Sequence, residues 1–203
     1  MLPYLILGMT YAFAAAVQPG PLQTYLISQT LSHGWRRTLP AAFSPLLSDG
    51  PVIVLVLMVL SRVPVWMVQG LRLAGGVFVL YLAWAALKAS RSYDARDMPP
   101  APSKRRSVLK AALVNLLNPN PCIAWSLVLG PLLLKGWREA PSHGVALLAG
   151  FYGVMVLGLA GTIALSATAG NLGPRVNRVL IGLSSLALAC FGFYLAAGAF
   201  HSR

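Results

Sequence analysis

The residues best suited to chemistry are one carboxylate and a few amides that lie inside long apolar stretches. Asp49 is the only acidic residue within any apolar stretch of this 203-residue chain. An ionisable group in hydrocarbon is costly and is usually functional. Asp49 is therefore a candidate proton carrier, because burial favours the uncharged carboxyl, or a counter-charge for an ammonium group. A local alternative is that Asp49 caps a helix that resumes at Pro51.

Two proline-rich sequences interrupt the first and fourth apolar stretches at matching positions. They are Gln18-Pro19-Gly20-Pro21 and Asn118-Pro119-Asn120-Pro121. Proline removes a backbone donor and clashes with the preceding turn, so neither sequence can continue a helix. In hydrocarbon the freed backbone groups need partners inside the protein or in a wet cavity. Paired interruptions of this kind predict a transport site between two broken helices.

Neutral amide side chains flank both interruptions. With the helix-end dipoles they offer a site for a zwitterion, whose carboxylate lies at a helix N-terminus and whose ammonium lies at free carbonyls. The alternative is that the amides only satisfy the broken backbone. The predicted substrate-binding residues are Gln18, Pro19, Gly20, Pro21, Asp49, Asn115, Asn118, Pro119 and Asn120.

The composition is that of an integral membrane protein. Hydrophobic residues make up 57% of the chain and charged residues 10%, and the mean hydropathy is +0.71. The formal net charge is +12. Its basic residues lie in short clusters between apolar stretches, which indicates loops that face anionic lipid and excludes a nucleic-acid-binding surface.

Six apolar stretches of about the length that spans a bilayer can be drawn. They cover residues 4–31, 39–60, 65–88, 108–134, 143–169 and 176–200. The sequence between the third and fourth, residues 91–107, is a basic, proline-rich linker that we expect to be extended, mobile and cytoplasmic. Because each half then holds three spans, the second half enters the membrane upside down. We predict an all-α integral membrane fold in which residues 1–90 and 108–203 form inverted three-helix repeats, with transmembrane helices 1 and 4 broken.

Lysine and arginine are unevenly divided between the connections of the predicted spans. Connections one, three and five carry eleven of the sixteen, and such a bias marks the cytoplasmic side. The eleven are Arg36, Arg37, Lys88, Arg91, Arg96, Lys104, Arg105, Arg106, Lys110, Arg175 and Arg178. We therefore predict that loops 1–2, 3–4 and 5–6 are cytoplasmic and that both termini face outward.

Small residues recur every four positions along the fifth apolar stretch. They are Gly158, Thr162, Ser166 and Gly170. Such a stripe lets helix backbones approach closely, so tight helix packing is the main expectation and a substrate-facing groove is the alternative.

Metal and cofactor chemistry find no support in the sequence. Cys122 and Cys190 are too few for a disulfide framework, and Cys122 is expected to be an inert buried thiol. His33 and His143 lack the spacing of metal ligands. There is no glycine-rich phosphate loop and no set of residues typical of a catalytic triad. We expect no metal, no cofactor and no enzymatic activity.

Several of these motifs resemble one known family. Gln18-Pro19-Gly20-Pro21 resembles the N/Q-P-G-P signature of the LysE/RhtB amino-acid exporters. Gly34-Trp35-Arg36-Arg37 and Ser48-Asp49-Gly50 resemble that family's basic turn and the Gly-Asp stretch of its second span. Asn115-Leu116-Leu117-Asn118-Pro119 resembles the motif that opens its fourth span. With the six apolar spans and the basic central linker, the resemblance covers essentially the whole chain.

The resemblance implies an exporter of amino acids or related small metabolites that depends on the proton motive force. Its implied partners are a small-molecule substrate, protons, the lipid bilayer of a bacterial inner membrane and a second copy in a homodimer. The chain departs from the family where a lysine commonly follows the second Asn-Pro, because Asn120 stands there. This departure removes a cation next to the predicted site and leaves the charge of the substrate open.

Two alternatives come from other classes of protein. A membrane thiol oxidoreductase would need one cysteine at each break, and Cys122 meets that need at the second break whereas no cysteine lies near Pro19. The second alternative is a non-transporting membrane scaffold. It does not explain why the chain keeps two energetically costly helix breaks and an aspartate in the middle of a membrane span.

Overall fold

The computed structural model describes residues 1–18, 20–59, 65–91, 103–170 and 174–201, and these residues are helical apart from short connections. The first half contains α1 (Leu2–Val17), α2 (Pro21–His33), α3 (Trp35–Thr38), a 3-10 helix (Leu39–Phe43), α4 (Ser44–Val59) and α5 (Val65–Arg91). The second half contains α6 (Lys104–Leu116), α7 (Pro119–Ala124), a π-helical turn (Trp125–Leu129), α8 (Gly130–Glu139), α9 (Pro141–Gly170) and α10 (Pro174–His201).

Membrane-spanning length is reached in both halves of the chain. Within the described residues, α9 and α10 each contain a helix long and apolar enough to cross a bilayer, over Pro141–Ala169 and Arg178–Gly198. The α1–α2 pair and the run from α6 to α8 pass the same test as bent spans, with bends of 63° and 57°. The described residues are thus all-helical and hold two to four candidate membrane spans. The arrangement as six spans in inverted repeats stays a prediction.

Both bends lie at the proline-rich sequences. The backbone is extended at Gln18 and Gly20 between α1 and α2, and again at Asn118 before α7. Pro19 itself lies outside the described residues. Pro21 and Pro119 occupy the first positions of α2 and α7, where the missing N–H has no helical acceptor to lose. The structure therefore contains the helix breaks that the prolines predict.

The basic turn after α2 also follows from its sequence. Gly34 has φ +83° and ψ 154°, a conformation that a residue with a Cβ rarely adopts. It separates α2 from the short helix α3, which carries Arg36 and Arg37.

Glycines bring α1 and α9 into backbone contact. A Cβ at Gly8 would overlap the carbonyl oxygen of Leu147, and a Cβ at Gly150 would overlap the carbonyl oxygen of Leu5. Gly158, the first residue of the small-residue stripe, also faces α1. The close packing expected of the stripe is confirmed there.

A second glycine contact joins α5 to α10. A Cβ at Gly76 would lie 2.8 Å from both the Ala196 nitrogen and the Gly192 carbonyl oxygen, so the two helices touch through their backbones. Gly75 approaches the Leu117 carbonyl oxygen just before the second break. This places α5 against the end of α6.

The breaks divide the interior into two apolar clusters. The first contains buried residues of α2, the 3-10 helix, α5, α6, α9 and α10, with Tyr25 and Leu26 among the most buried. The second contains residues of α1, α4, α7, α8 and α9, around Trp125 and Phe151. The first cluster therefore contains α2 and α6, and the second contains α1 and α7, so each broken helix contributes one segment to each cluster.

The linker prediction is wrong at its C-terminal end. Lys104, Arg105 and Arg106 form the first turn of α6 instead of extended chain. The Ser103 hydroxyl caps this helix by accepting a hydrogen bond from the Arg106 amide at 3.3 Å. Arg91 ends α5, and residues 92–102 lie outside the described part of the chain.

The helix-cap alternative for Asp49 is also wrong. Helix α4 runs from Ser44 to Val59 without a stop, and Pro51 lies inside it. Asp49 therefore precedes no helix start and has no first-turn amides to cap. Its side chain instead accepts hydrogen bonds from residues of α6, the π-helical turn and α9, and these residues define the candidate site.

Candidate functional site

Asp49 lies in α4 with 2% of its surface exposed. Its Oδ1 accepts a hydrogen bond of 2.9 Å from Asn115 Nδ2, which also donates to Ser48 Oγ at 2.7 Å. Its Oδ2 accepts from Trp125 Nε1 at 3.4 Å and from the Tyr152 hydroxyl at 3.5 Å. Hydrogen bonds to both oxygens offset the cost of burying the carboxylate. Ser48 Oγ also donates to Oδ1, at 3.4 Å. The other three donors lie on α6, the π-helical turn and α9, in the second half of the chain.

Aromatic packing fixes two of the donors. The Trp125 and Phe151 rings meet edge to face with centroids 5.5 Å apart, and the Phe151 and Tyr152 rings do so at 5.2 Å. Trp125 also begins the π-helical turn, whose wider spacing is frequent at functional sites. The three rings thus hold the indole and phenol donors towards Asp49.

A cavity of about 270 Å³ lies at the two breaks, between the two apolar clusters. Its volume falls below the roughly 300–1,000 Å³ typical of sites for drug-sized ligands, so it suits one small metabolite. The cavity is lined by Tyr11, Ala14, Ala15, Gln18, Gly20, Leu22, Gln23, Asp49, Asn115, Asn118, Asn120, Pro121, Ala124, Trp125, Leu129, Phe151 and Met155.

Most of the residues predicted to bind substrate meet at this cavity. They are Gln18, Gly20, Asp49, Asn115, Asn118 and Asn120. Pro21 is buried at the start of α2 and is absent from the lining. Pro19, and the side chain of Pro119, lie outside the described residues. The structure brings the set together, and a role in binding stays a prediction.

The amides around the breaks fall into two groups. Gln23 donates to the Ala15 carbonyl at 3.1 Å, and the Asn118 side chain accepts from the Asn120 amide at 3.2 Å. These two side chains satisfy the broken backbone. By contrast, the side chains of Gln18 and Asn120 form no hydrogen bond within the described residues, so they keep their full capacity towards the cavity.

Sequence reasoning missed the aromatic half of the site. Trp125, Phe151 and Tyr152 stand in no recognisable motif, and aromatic residues of apolar spans commonly lie at membrane interfaces. The available signal was indirect, because a buried carboxylate requires donors and tryptophan and tyrosine can supply them. Which of the chain's aromatics do so depends on the fold.

The cysteines do not form a second site at the breaks. Cys122 is buried in α7 and Cys190 is exposed on α10, and both are free thiols. Neither lines the cavity. In the described residues, no group of three or more histidine, cysteine, aspartate or glutamate side chains is placed to hold a metal ion.

The hydrogen-bond lengths around Asp49 rank its partners. We expect Asn115→Ala to lower the free energy of unfolding by about 1–3 kcal/mol, because it removes two short bonds and leaves the buried oxygens of Ser48 and Asp49 without their shortest donor. Tyr152→Phe, which removes one bond of 3.5 Å, should cost under about 1 kcal/mol. Thermal unfolding of both variants in detergent would measure the difference. Equal losses, or the reverse order, would contradict this ranking.

The sequence was compared with protein-family models, with curated proteins and with solved structures. A family model described as LysE type translocator matches residues 13–198. No curated protein and no solved structure matches the chain. The family match spans both breaks, Asp49 and all three of its donors from the second half. Since it covers most of the sequence, the chain belongs to the LysE type translocator family.

Proposed function

We propose that this translocator exports an amino acid or a related small metabolite, with the substrate bound in the cavity and with Asp49 coupling its movement to protons. Family membership makes the chain a membrane transporter of amino acids or similar molecules. The observation that carries the finer proposal is the position of Asp49. It lies at the cavity wall and is held by donors from the other half of the chain.

The proton step follows from the chemistry of this carboxylate. As an anion, Asp49 accepts hydrogen bonds from Asn115, Trp125 and Tyr152. A proton on Oδ2 removes the negative charge and replaces an acceptor with a donor, so the bonds from Trp125 and Tyr152 weaken. Because these bonds join α4 to the second half, protonation loosens the contact between the halves. A proton gradient can then bias which side of the membrane the cavity faces.

The helix packing supports two inverted repeats, over residues 1–90 and 108–203. Under such a relation α1 corresponds to α6 and α4 to α9. Helix α1 packs along α9, and the corresponding pair, α6 and α4, also packs together. The last helices of the two repeats, α5 and α10, pack against each other. Rocking of one repeat against the other around the two breaks would expose the cavity alternately.

The proposed orientation puts α3 and the start of α6 in the cytoplasm and the α8–α9 turn outside, as the basic residues predict. We expect a cysteine introduced at exposed Ser103 to react with a membrane-impermeant thiol reagent only from the cytoplasm. A cysteine at exposed Ser142 should react only from outside. Both changes are made in a Cys122→Ser, Cys190→Ser background, and the opposite labelling pattern would invert the orientation. From the family resemblance we also propose a bacterial inner membrane as the location and a homodimer as the assembly.

Efflux from proteoliposomes tests the proposed function. Vesicles with the purified chain are loaded with a mixture of amino acids, and the external buffer is made more acidic than the interior. We expect at least one amino acid to leave faster than at equal pH and faster than from protein-free vesicles, because protons entering through the transporter drive its exit. Efflux no faster than from protein-free vesicles for every amino acid would refute amino-acid export.

A further inference from the structure

Basic residues gather at the end of the helix bundle where α2 ends and α6 begins. We propose that α3 and the first turns of α6 form a binding site for a phospholipid with a negatively charged headgroup. Its phosphate lies between Arg37 and Lys110, and its acyl chains lie along Leu109 and Leu113. Such a site is independent of the cargo and of proton coupling.

Cations from both halves of the chain converge beside His33, the last residue of α2. Arg37 on α3 and Lys110 on α6 both act electrostatically on the His33 ring. Helix α3 packs against both α2 and α6. Arg106 stands one turn before Lys110 and lies on the same face of α6. Arg37, Arg106 and Lys110 thus form one positively charged surface.

No acidic side chain of the described residues neutralises this surface. The acidic residues that the structure describes are Asp49, which is buried in the cavity wall, and Glu139, at the end of α8. The Glu139 carboxylate lies 3.3 Å from His143 Nδ1, in the turn between α8 and α9. Like charges that lie close together repel each other, and an anion between them removes the repulsion. The arrangement therefore favours an anion from outside the chain.

Helix α6 places apolar side chains directly beyond its cations. Four residues follow the i, i+3, i+4, i+7 spacing of a single helix face. They are Arg106, Leu109, Lys110 and Leu113. Leu109 is 56% exposed and Leu113 is 39% exposed. Arg106 and Leu113 stand about 10 Å apart along the axis, whereas the headgroup layer is about 5–8 Å thick on each side of a bilayer. The face therefore reaches from the headgroups into the hydrocarbon, as a phospholipid does.

Trp35 places α3 at the level of the lipid headgroups. Its side chain is 46% exposed, and the Arg36 guanidinium carbon lies 5.4 Å from the centroid of its ring. Tryptophan is enriched where headgroups meet hydrocarbon, and a cation over its face is attracted to the ring. Cations and apolar side chains thus stand together on α3 as they do on α6. A free phosphate ion would use the cations alone, so the combination selects a lipid.

Lipid binding to the purified chain in detergent tests the site. Native mass spectrometry counts bound phosphatidylglycerol, which is anionic, and bound phosphatidylcholine, which has no net charge. We expect phosphatidylglycerol to bind roughly tenfold more tightly or better, because each basic residue near an anionic lipid surface contributes about fivefold. Equal affinity for the two lipids overturns the proposal. Inorganic phosphate that displaces phosphatidylglycerol more than chloride does at equal ionic strength also overturns it, because the site would then hold a free anion.

Neutral substitutions locate the site. Arg37→Gln combined with Lys110→Gln should weaken phosphatidylglycerol binding by about 25-fold, because two cations are lost. Arg36→Gln combined with Arg37→Gln, both at exposed positions of α3, supplies the readout if the first pair does not fold. Lys135→Gln combined with Arg138→Gln is the matched control, since it removes two exposed cations from α8, at the other end of the bent span. Unchanged affinity in the folded α3 or α6 variant, or an equal loss in the α8 control, overturns the assignment.

Discussion

Replacing Asp49 with asparagine should reduce export against a concentration gradient to background. Asparagine cannot release or take up the coupling proton. Its amide nitrogen, in place of Oδ2, would also face the Trp125 indole N–H, and two donors would then meet. The expected cost in folding stability is about 1–3 kcal/mol, so protein should still reach the membrane. Intracellular and extracellular amino-acid concentrations in expressing cells, at matched protein levels, would measure export.

Ser185→Ala provides the control for this substitution. Ser185 is as buried as Asp49, with 2% of its surface exposed, but its hydroxyl donates to the Ile181 carbonyl of its own helix. We expect its loss to leave export within about twofold of wild type, because local helix bonds of this kind contribute little. Continued uphill export by Asp49→Asn would remove Asp49 from the coupling step.

Replacing Gly150 with alanine should destabilise the protein more than the same substitution at Gly153 of the same helix. The new Cβ would overlap the Leu5 carbonyl oxygen, and backbone atoms cannot yield without separating α1 from α9. Overpacking typically costs about 1–3 kcal/mol. Thermal unfolding in detergent would show a lower midpoint, because the contact between α1 and α9 is weakened.

The same helix supplies the control. A methyl group added at Gly153 would have no heavy atom within 4 Å, so Gly153→Ala should be neutral or stabilise by up to about 1 kcal/mol through helix propensity. Equal losses at Gly150 and Gly153 would contradict the close contact between α1 and α9.

The helix breaks were accessible from sequence because proline acts through its own backbone. Pro21 and Pro119 begin new helices whatever the tertiary structure around them. Gln18, Gly20 and Asn118 are extended because each directly precedes a proline. Asparagine and glutamine at these positions were candidates for the same reason. Local rules were therefore enough to find the polar end of the cavity.

Local rules misled at Pro51 and at Lys104. Proline is tolerated inside membrane helices more readily than in soluble ones, and α4 continues past Pro51, so Asp49 is not a cap. The basic run after Ser103 suggested a solvated linker, and Ser103 was the overlooked signal for a helix start. At Lys104 the cap outweighed the basic composition of the segment.

The partners of Asp49 were beyond reach from sequence because they are far away along the chain. Asn115, Trp125 and Tyr152 lie 66, 76 and 103 residues from it. Their convergence depends on how α6, the π-helical turn and α9 pack against α4. The same long-range contacts give Asp49 its proposed role, since they tie one half of the chain to the other.

Proton movement that accompanies substrate efflux tests the role of Asp49 most directly. Proteoliposomes are loaded with the amino acid that the chain exports fastest and with a pH-sensitive dye, and no pH gradient is imposed. The account predicts that efflux acidifies the interior in wild-type vesicles, because protons enter as substrate leaves, and that Asp49→Asn vesicles show no such acidification. Substrate efflux without a pH change in the wild type, or an equal change in Asp49→Asn, would contradict it.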